Sequence, residues 1–177
     1  DAALAARDAG RHEEALALWT QAAAREGADG FVWSQLGWAR AALGKVKPAR
    51  EAFAKALELD PNLPTAIMGS AYFSALDGDS KGSIEKARNA LSQKAWGFAK
   101  KPDAAKIAEY IADLDKADAL LAEGKADEGN GYLGRVLEDF VVVRNRVKVD
   151  HKRMREMAEK AGIKDDKKEE EKKEEAK

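Results

Sequence analysis

A recurrence of about 34 residues is the feature of this sequence that most constrains its fold. When residues 44–57 are shifted forward by 34 positions, Gly44 falls on Gly78 and Ala56-Leu57 falls on Ala90-Leu91. The same shift backward pairs further positions: Gly10 with Gly44, Ala15 with Ala49, Trp19 with Phe53 and Ala22 with Ala56. A period of this length is typical of a helix–turn–helix unit, which stacks on further copies to bury its apolar face.

The composition agrees with a helical chain. Of the 177 residues 45% are hydrophobic and four are proline, and the abundant Ala, Leu, Lys and Glu favour helices. Cysteine is absent, which excludes disulfides, thiolate metal sites and a cysteine nucleophile. The net charge of −1 gives the chain as a whole no preference for polyanions or polycations. No stretch is apolar over the ~18 residues that a membrane-spanning helix needs.

Residues 30–63 carry bulky and small side chains in the order of a known repeat. These residues are Trp33, Leu36, Gly37, Ala49, Phe53, Ala56 and Pro61. With them the segment resembles the tetratricopeptide repeat. The match is weaker over residues 64–97, where Ile67 replaces the tryptophan and Ser70-Ala71 replace leucine-glycine, and the first repeat lacks most of its first helix. The resemblance implies an all-α fold, a right-handed superhelical array of antiparallel helix pairs (a TPR-like solenoid), which a long C-terminal helix follows here.

The small residues have a physical reason within such a unit. Gly37 is expected where the first helix meets the second, with Ala49 on the facing side, because a larger side chain there would cost roughly 1–3 kcal/mol in overpacking. Gly44 and Gly78 are expected to end the first helices with a positive φ. Pro61 is expected to stop the second helix.

The repeat register breaks after residue 91. A further glycine turn is predicted at Gly124, which lies 46 residues after Gly78, and we interpret the excess as an insertion of twelve residues, 92–103. Pro102 suits the first turn of a new helix. We therefore divide the chain into a repeat array with a truncated first repeat (1–91), an insertion plus degenerate helical repeat (92–137), a long amphipathic capping helix (138–163) and a charged tail (164–177).

A heptad seam runs through residues 133–161. Its apolar positions alternate in steps of three and four, with one polar break at Asp150. This pattern predicts a long helix, and we favour a cap on the end of the array over a free coiled coil that would make an oligomer. The segment 144–155 carries six basic residues, which leaves contact with phosphates or an anionic membrane surface open, although a solvated helix face is the interpretation that we favour.

Three features that could carry chemistry are better explained in other ways. Residues 129–134 read G-x-G-x-x-G, but a helical segment precedes them where a nucleotide site needs a strand. The segment 77–88 begins like a calcium loop, with Asp77, Asp79 and Gly82 in place, yet Lys81 and Arg88 stand at ligand positions. His12 and His151 lack metal-ligand spacing, and no catalytic set is found. We expect no enzymatic activity, metal or cofactor, and no small-molecule or nucleic-acid partner.

The resemblance implies that the first helix of each repeat lines a concave groove for a peptide or protein. The groove residues would be Leu4, Phe31, Ser34, Trp38, Thr65, Met68 and Tyr72. Ser34, Trp38, Met68 and Tyr72 stand where one subgroup of the family has the polar residues that clamp a chaperone carboxylate, so we do not expect that clamp. An apolar, aromatic groove suits an amphipathic helix or an apolar extended peptide. The open alternative is that Trp38 and Tyr72 pack between repeats.

Two hypotheses for the function follow. The first is a non-enzymatic scaffold or adaptor that binds a peptide or helix in the groove. The second is a structural subunit that is built into a larger multiprotein complex through its whole surface. Because the sequence begins with Asp1 rather than methionine, the expectation leans towards an exported or periplasmic protein, with a cytoplasmic one as the alternative.

Overall fold

The computed structural model describes residues 2–94, 96 and 101–145, with side chains described as far as Asp139. Within these ranges the chain forms eight α-helices and no strand. The helices are α1 (Ala2–Asp8), α2 (His12–Ala23), α3 (Gly30–Ala42), α4 (Val46–Leu59), α5 (Pro64–Leu76), α6 (Ser80–Ser92), α7 (Ala104–Ala122) and α8 (Ala126–Asn145). Consecutive helices pack in pairs, α1 with α2 and so on to α7 with α8. The predicted all-α class is therefore confirmed.

One backbone turn recurs within all four helix pairs. Its glycines have a positive φ: Gly10 (+72°), Gly44 (+68°), Gly78 (+86°) and Gly124 (+78°). In the second pair the Gly44 amide donates to the Ala41 carbonyl and the Lys45 amide donates to the Arg40 carbonyl, each at 2.9 Å, and the other three turns repeat both bonds. This is a Schellman motif, whose left-handed residue favours glycine. The positive φ predicted for Gly44 and Gly78 is confirmed.

Phe53 on α4 lies in a slot between glycines of two other helices. A Cβ added to Gly37 on α3 would lie 2.8 Å from the Phe53 ring, and one added to Gly69 on α5 would lie 2.5 Å from it. Both distances are far below ordinary van der Waals contact. Gly37 therefore stands where α3 crosses α4, as predicted, and Gly69 lets the next pair approach the same ring.

α5 is the most enclosed helix of the described chain. Ten of its thirteen residues are buried, and it packs on α3, α4, α6 and α8. The apolar core runs from this helix into the last pair, since the same buried cluster includes Met68, Leu114 and Leu133. Trp96, from the connection between α6 and α7, is buried in that cluster too.

The last helix pair is placed differently from the third. α5 is the first helix of its pair and contacts both helices of the pair before it, whereas α8 is the second helix of its pair and contacts both α5 and α6. α7 packs on α6. The connection 93–103 is longer than the four-residue connection 60–63 between α4 and α5. α8 thus takes the inner position next to α5.

Two details of this region differ from prediction. Pro102 stands before the helix rather than in its first turn, because the carboxylate of Asp103 caps α7 and accepts a hydrogen bond from the Lys106 amide at 2.8 Å. The boundary predicted between 137 and 138 falls inside α8, which continues to Asn145. The rest of the predicted long helix and the charged tail, residues 146–177, lie outside the described residues.

Candidate functional site

The seven predicted groove residues do not share one environment. Five are buried: Ser34, Trp38, Thr65, Met68 and Tyr72. The other two, Leu4 and Phe31, are partly exposed. The described chain therefore presents no accessible stripe of groove residues along α1, α3 and α5.

Trp38 and Ser34 are held by α5. The indole Nε1 of Trp38 donates to the carbonyl of Thr65 at 3.1 Å, and the hydroxyl of Ser34 donates to the Thr65 hydroxyl at 2.9 Å. The Trp38 ring also meets Phe53 edge to face, with 5.1 Å between ring centres, and only 1% of the residue is exposed. Trp38 thus packs between repeats, as in the alternative that the sequence left open, and its place in a partner-binding groove stays a prediction.

Tyr72 and Met68 are covered in the same way. Tyr72 is 2% exposed and Met68 is fully buried, and the Tyr72 ring packs edge to face on Phe73 with 5.4 Å between ring centres. Their helix, α5, is covered by α8, which stands in the inner position. Tyr72 therefore lies in the core of the array, in agreement with the alternative that the sequence left open. Whether a partner contacts any of the seven residues stays a prediction.

Leu4 on α1 and Phe31 on α3 are the two predicted groove residues that stay partly exposed. Both pack against the buried cluster that joins α1, α2 and α3 without being enclosed by it. The Phe31 ring meets Trp19 of α2 edge to face, with 6.1 Å between ring centres. The cluster therefore supports the aromatic ring, and the residue stays partly exposed.

A small, mainly apolar cleft lies between α1, α2 and α3. It is lined by Arg7, His12, Ala15, Trp19, Gln35, Trp38, Ala39 and Ala42. The Arg7 Nη1 donates to the Gln35 Oε1 at 3.1 Å. The sequence analysis missed this pair, although the spacing gave a signal: Arg7 follows Leu4 by three residues and Gln35 follows Phe31 by four, so each shares a helix face with a predicted groove residue.

Ion pairs fix the last helix pair. Arg135 on α8 donates to both carboxylate oxygens of the buried Asp113 on α7, at 2.9 and 2.5 Å. Lys106 lies 2.7 Å from Asp139 and 3.0 Å from Glu109. Burial alone would lower the pKa of Lys106, but hydrogen bonds and charge attraction from Asp139 and Glu109 together hold this pKa above its ordinary value. These contacts lock α7 to α8, and they involve structural rather than catalytic groups.

The remaining candidate motifs have structural roles. The Asp77 carboxylate pairs with Arg50 at 2.7 and 2.8 Å, and the Asp79 carboxylate caps α6 by accepting from the Gly82 amide at 3.0 Å. The G-x-G-x-x-G segment, 129–134, lies inside α8 rather than in a strand-to-helix turn. A Cβ on Gly129 would lie 2.9 Å from the Ala117 carbonyl, so this segment serves close packing.

The described part of the heptad seam packs into the core of the chain itself. Leu133 and Val136 are buried in the core, together with Leu137. This agrees with a helix that caps the array, and oligomer formation through the seam stays a prediction.

His151 and most of the basic segment 144–155 lie outside the described residues. Within the described ranges no helix combines the length and the apolar character that crossing a membrane requires.

Comparisons with known proteins identify one segment. No curated protein and no solved structure matches the chain significantly. The sequence model of the tetratricopeptide repeat family matches residues 30–63, which comprise α3, α4 and the slot around Phe53. Tetratricopeptide repeats generally mediate protein–protein interactions and are generally not enzymes. The match identifies residues 30–63 as a tetratricopeptide repeat, and the recurring glycine turn and the helix pairs on either side of this segment are similar to it.

Proposed function

We propose that this protein is a non-enzymatic interaction scaffold that binds an apolar peptide or helix of a protein partner at the α1–α3 end of its groove. The observation that carries the proposal is the partial exposure of Leu4 and Phe31. These are the groove positions that remain accessible, since α5 and its neighbours enclose the others. The proposed binding site is smaller than the predicted one, which placed groove residues on the first helices of three repeats.

Phe31 has the properties of an interface anchor. Its ring is supported by Trp19 and by the α1–α3 cluster, so little side-chain freedom is lost when a partner covers it. Aromatic anchors at the centre of an interface commonly contribute about 2 kcal/mol or more each. A helix or extended segment with an apolar side chain would complete the burial of Phe31 and Leu4.

Site-specific photo-crosslinking in the native cell tests this proposal. A photoreactive phenylalanine analogue at position 31 should crosslink the partner, whereas the same analogue at Lys55, an exposed position on α4, should not. Thermal melts of both variants check that they fold. Equal crosslinking of one partner from both positions would contradict groove binding.

A structural subunit is the second candidate, and a separate observation favours it. Val46 and Leu59, at the two ends of α4, are 46% and 48% exposed. Neither belongs to the groove. A complex that encloses the whole chain would cover them, and Lys55 lies one turn from Leu59. The crosslinking comparison between positions 31 and 55 therefore separates the two candidates.

A further inference from the structure

We propose that Asn130 is a site of spontaneous deamidation, that local opening of the first half of α8 limits the reaction, and that the product loosens the last helix pair. This property concerns the lifetime of the folded array and is independent of the partner-binding groove. Three observations support it: the dipeptide Asn130-Gly131, its place within α8, and the contact between Asn130 and Ser80.

The dipeptide has the composition that favours deamidation. Of the four asparagines in the chain, Asn130 is the one that precedes a glycine. The backbone nitrogen of Gly131 loses its proton to water and attacks Cγ of Asn130, and the bond from Cγ to the side-chain nitrogen breaks with release of ammonia. Water then opens the five-membered succinimide at either carbonyl and leaves aspartate or isoaspartate. Glycine favours the attack because it has no Cβ and adopts many backbone angles.

The closed helix blocks this reaction. Both residues lie inside α8, where the Gly131 amide donates to the Asp127 carbonyl four residues earlier and the helical ψ of Asn130 directs the Gly131 nitrogen away from Cγ. The side chain is held as well, because Asn130 Oδ1 accepts a hydrogen bond from the Ser80 hydroxyl of α6. Deamidation therefore requires a state in which the helical backbone and this contact are both open.

The first half of α8 has the features of a segment that opens locally. It contains Gly129, Gly131 and Gly134, and glycine is the least favourable residue in a helix after proline. Gly129 allows close packing on α7 but gives the helix little stability of its own. Residues 126–128 are exposed and Asn130 is partly exposed, so water reaches the dipeptide when the segment opens. Exposed, weakly packed helix ends open without global unfolding.

Either product disturbs the joint between α8 and α6. Isoaspartate inserts a methylene into the backbone, which shifts the helical hydrogen bonds around position 130. Aspartate places a carboxylate three residues after Asp127, a spacing at which like charges repel on a helix. Both changes favour the open state, so the modified protein should melt at a lower temperature than the unmodified protein.

Peptide mapping of the aged protein tests the proposal. The full chain is incubated in mildly alkaline buffer made with heavy-oxygen water, so that modification during later digestion is not counted. Trypsin then releases residues 126–135, whose gain in mass reports the reaction at Asn130, and a synthetic peptide of the same segment gives the rate of the open dipeptide. The protein should react at least about tenfold more slowly than the peptide. Asn89, which precedes alanine within α6, should stay unmodified, and Asn130→Gln should lose the signal.

Ser80→Ala and low urea concentrations test local opening. Ser80→Ala removes a contact of the closed state and should raise the rate, whereas Ser92→Ala, an exposed position at the other end of α6, should not. Urea below the unfolding transition should raise the rate less steeply than it raises the globally unfolded fraction. An unchanged rate in Ser80→Ala, or a urea dependence equal to that of global unfolding, would overturn local opening.

Three further outcomes would contradict the proposal. Equal rates in protein and peptide would show that the helix does not limit the reaction. A protein that stays unmodified while the peptide reacts would exclude the site. A modified fraction that melts with the unmodified protein would show that the product does not loosen the last helix pair.

Discussion

Gly69→Ala should destabilise the array because it closes the slot that holds Phe53. The added Cβ would lie 2.5 Å from the ring, so ring or helix must move by about 0.9 Å to restore an ordinary contact of 3.4 Å. The ring cannot retreat freely, since a Cβ at Gly37 would also lie within 2.8 Å of it and Trp38 meets its edge.

The magnitude follows from two opposing effects. Overpacking of this kind costs about 1–3 kcal/mol, while alanine gains about 1 kcal/mol over glycine in a helix. A displacement of about 0.9 Å places the cost in the upper part of that range, about 2–3 kcal/mol, so the net loss should be about 1–2 kcal/mol, or a Tm about 2–8 °C lower for a chain of this size. Urea and thermal unfolding followed by far-ultraviolet circular dichroism measure it.

The Phe53→Leu background supplies the control. The smaller side chain vacates part of the slot, so Gly69→Ala should cost less there and could become stabilising through its helix propensity. A double-mutant cycle should therefore show a clear coupling between positions 53 and 69. A Gly69→Ala protein that melts at or above the wild-type temperature would refute the steric argument.

Further outcomes are expected at the buried groove positions and at Lys106. Trp38→Ala and Tyr72→Ala should each lower stability by about 3–5 kcal/mol in urea unfolding, with Phe31→Ala losing less; equal losses at all three would contradict the burial pattern. Because the pKa of Lys106 is raised above its ordinary value of 10.5, its contribution is full below that pH and is lost as the pH rises through the folded-state pKa. Lys106→Arg, which stays charged, should lose stability less steeply than the wild type in this range; parallel curves would show that the ion pairs of Lys106 are not coupled to folding.

The sequence predicted those parts of the fold that depend on local geometry. The turns at Gly44, Gly78 and Gly124 follow from spacing and from the left-handed backbone that glycine tolerates. Gly37 could be predicted because small residues recur at helix crossings. Gly69 could not, since a single glycine inside an apolar helix gives no signal until the Phe53 ring is placed against it.

The candidate site was less predictable because accessibility depends on distant elements. The groove positions on α5 were inferred from their place in the repeat, but α8, the second helix of the last pair, packs on that helix. No pattern within residues 64–76 indicates that α8 packs on this helix. The Arg7–Gln35 bond likewise joins residues 28 positions apart, and it becomes visible only when α1 and α3 are set side by side.

Equivalent repeat positions therefore have different roles along the array. Phe31 and Thr65 lie 34 residues apart and occupy the same place in successive repeats, yet Phe31 is partly exposed and Thr65 is buried. Thr65 accepts hydrogen bonds from Ser34 and Trp38, so its position serves the joint between repeats. Phe31 packs on Trp19 and stays partly exposed. A substitution at 65 should thus act through folding, whereas the proposed function expects one at 31 to act through binding.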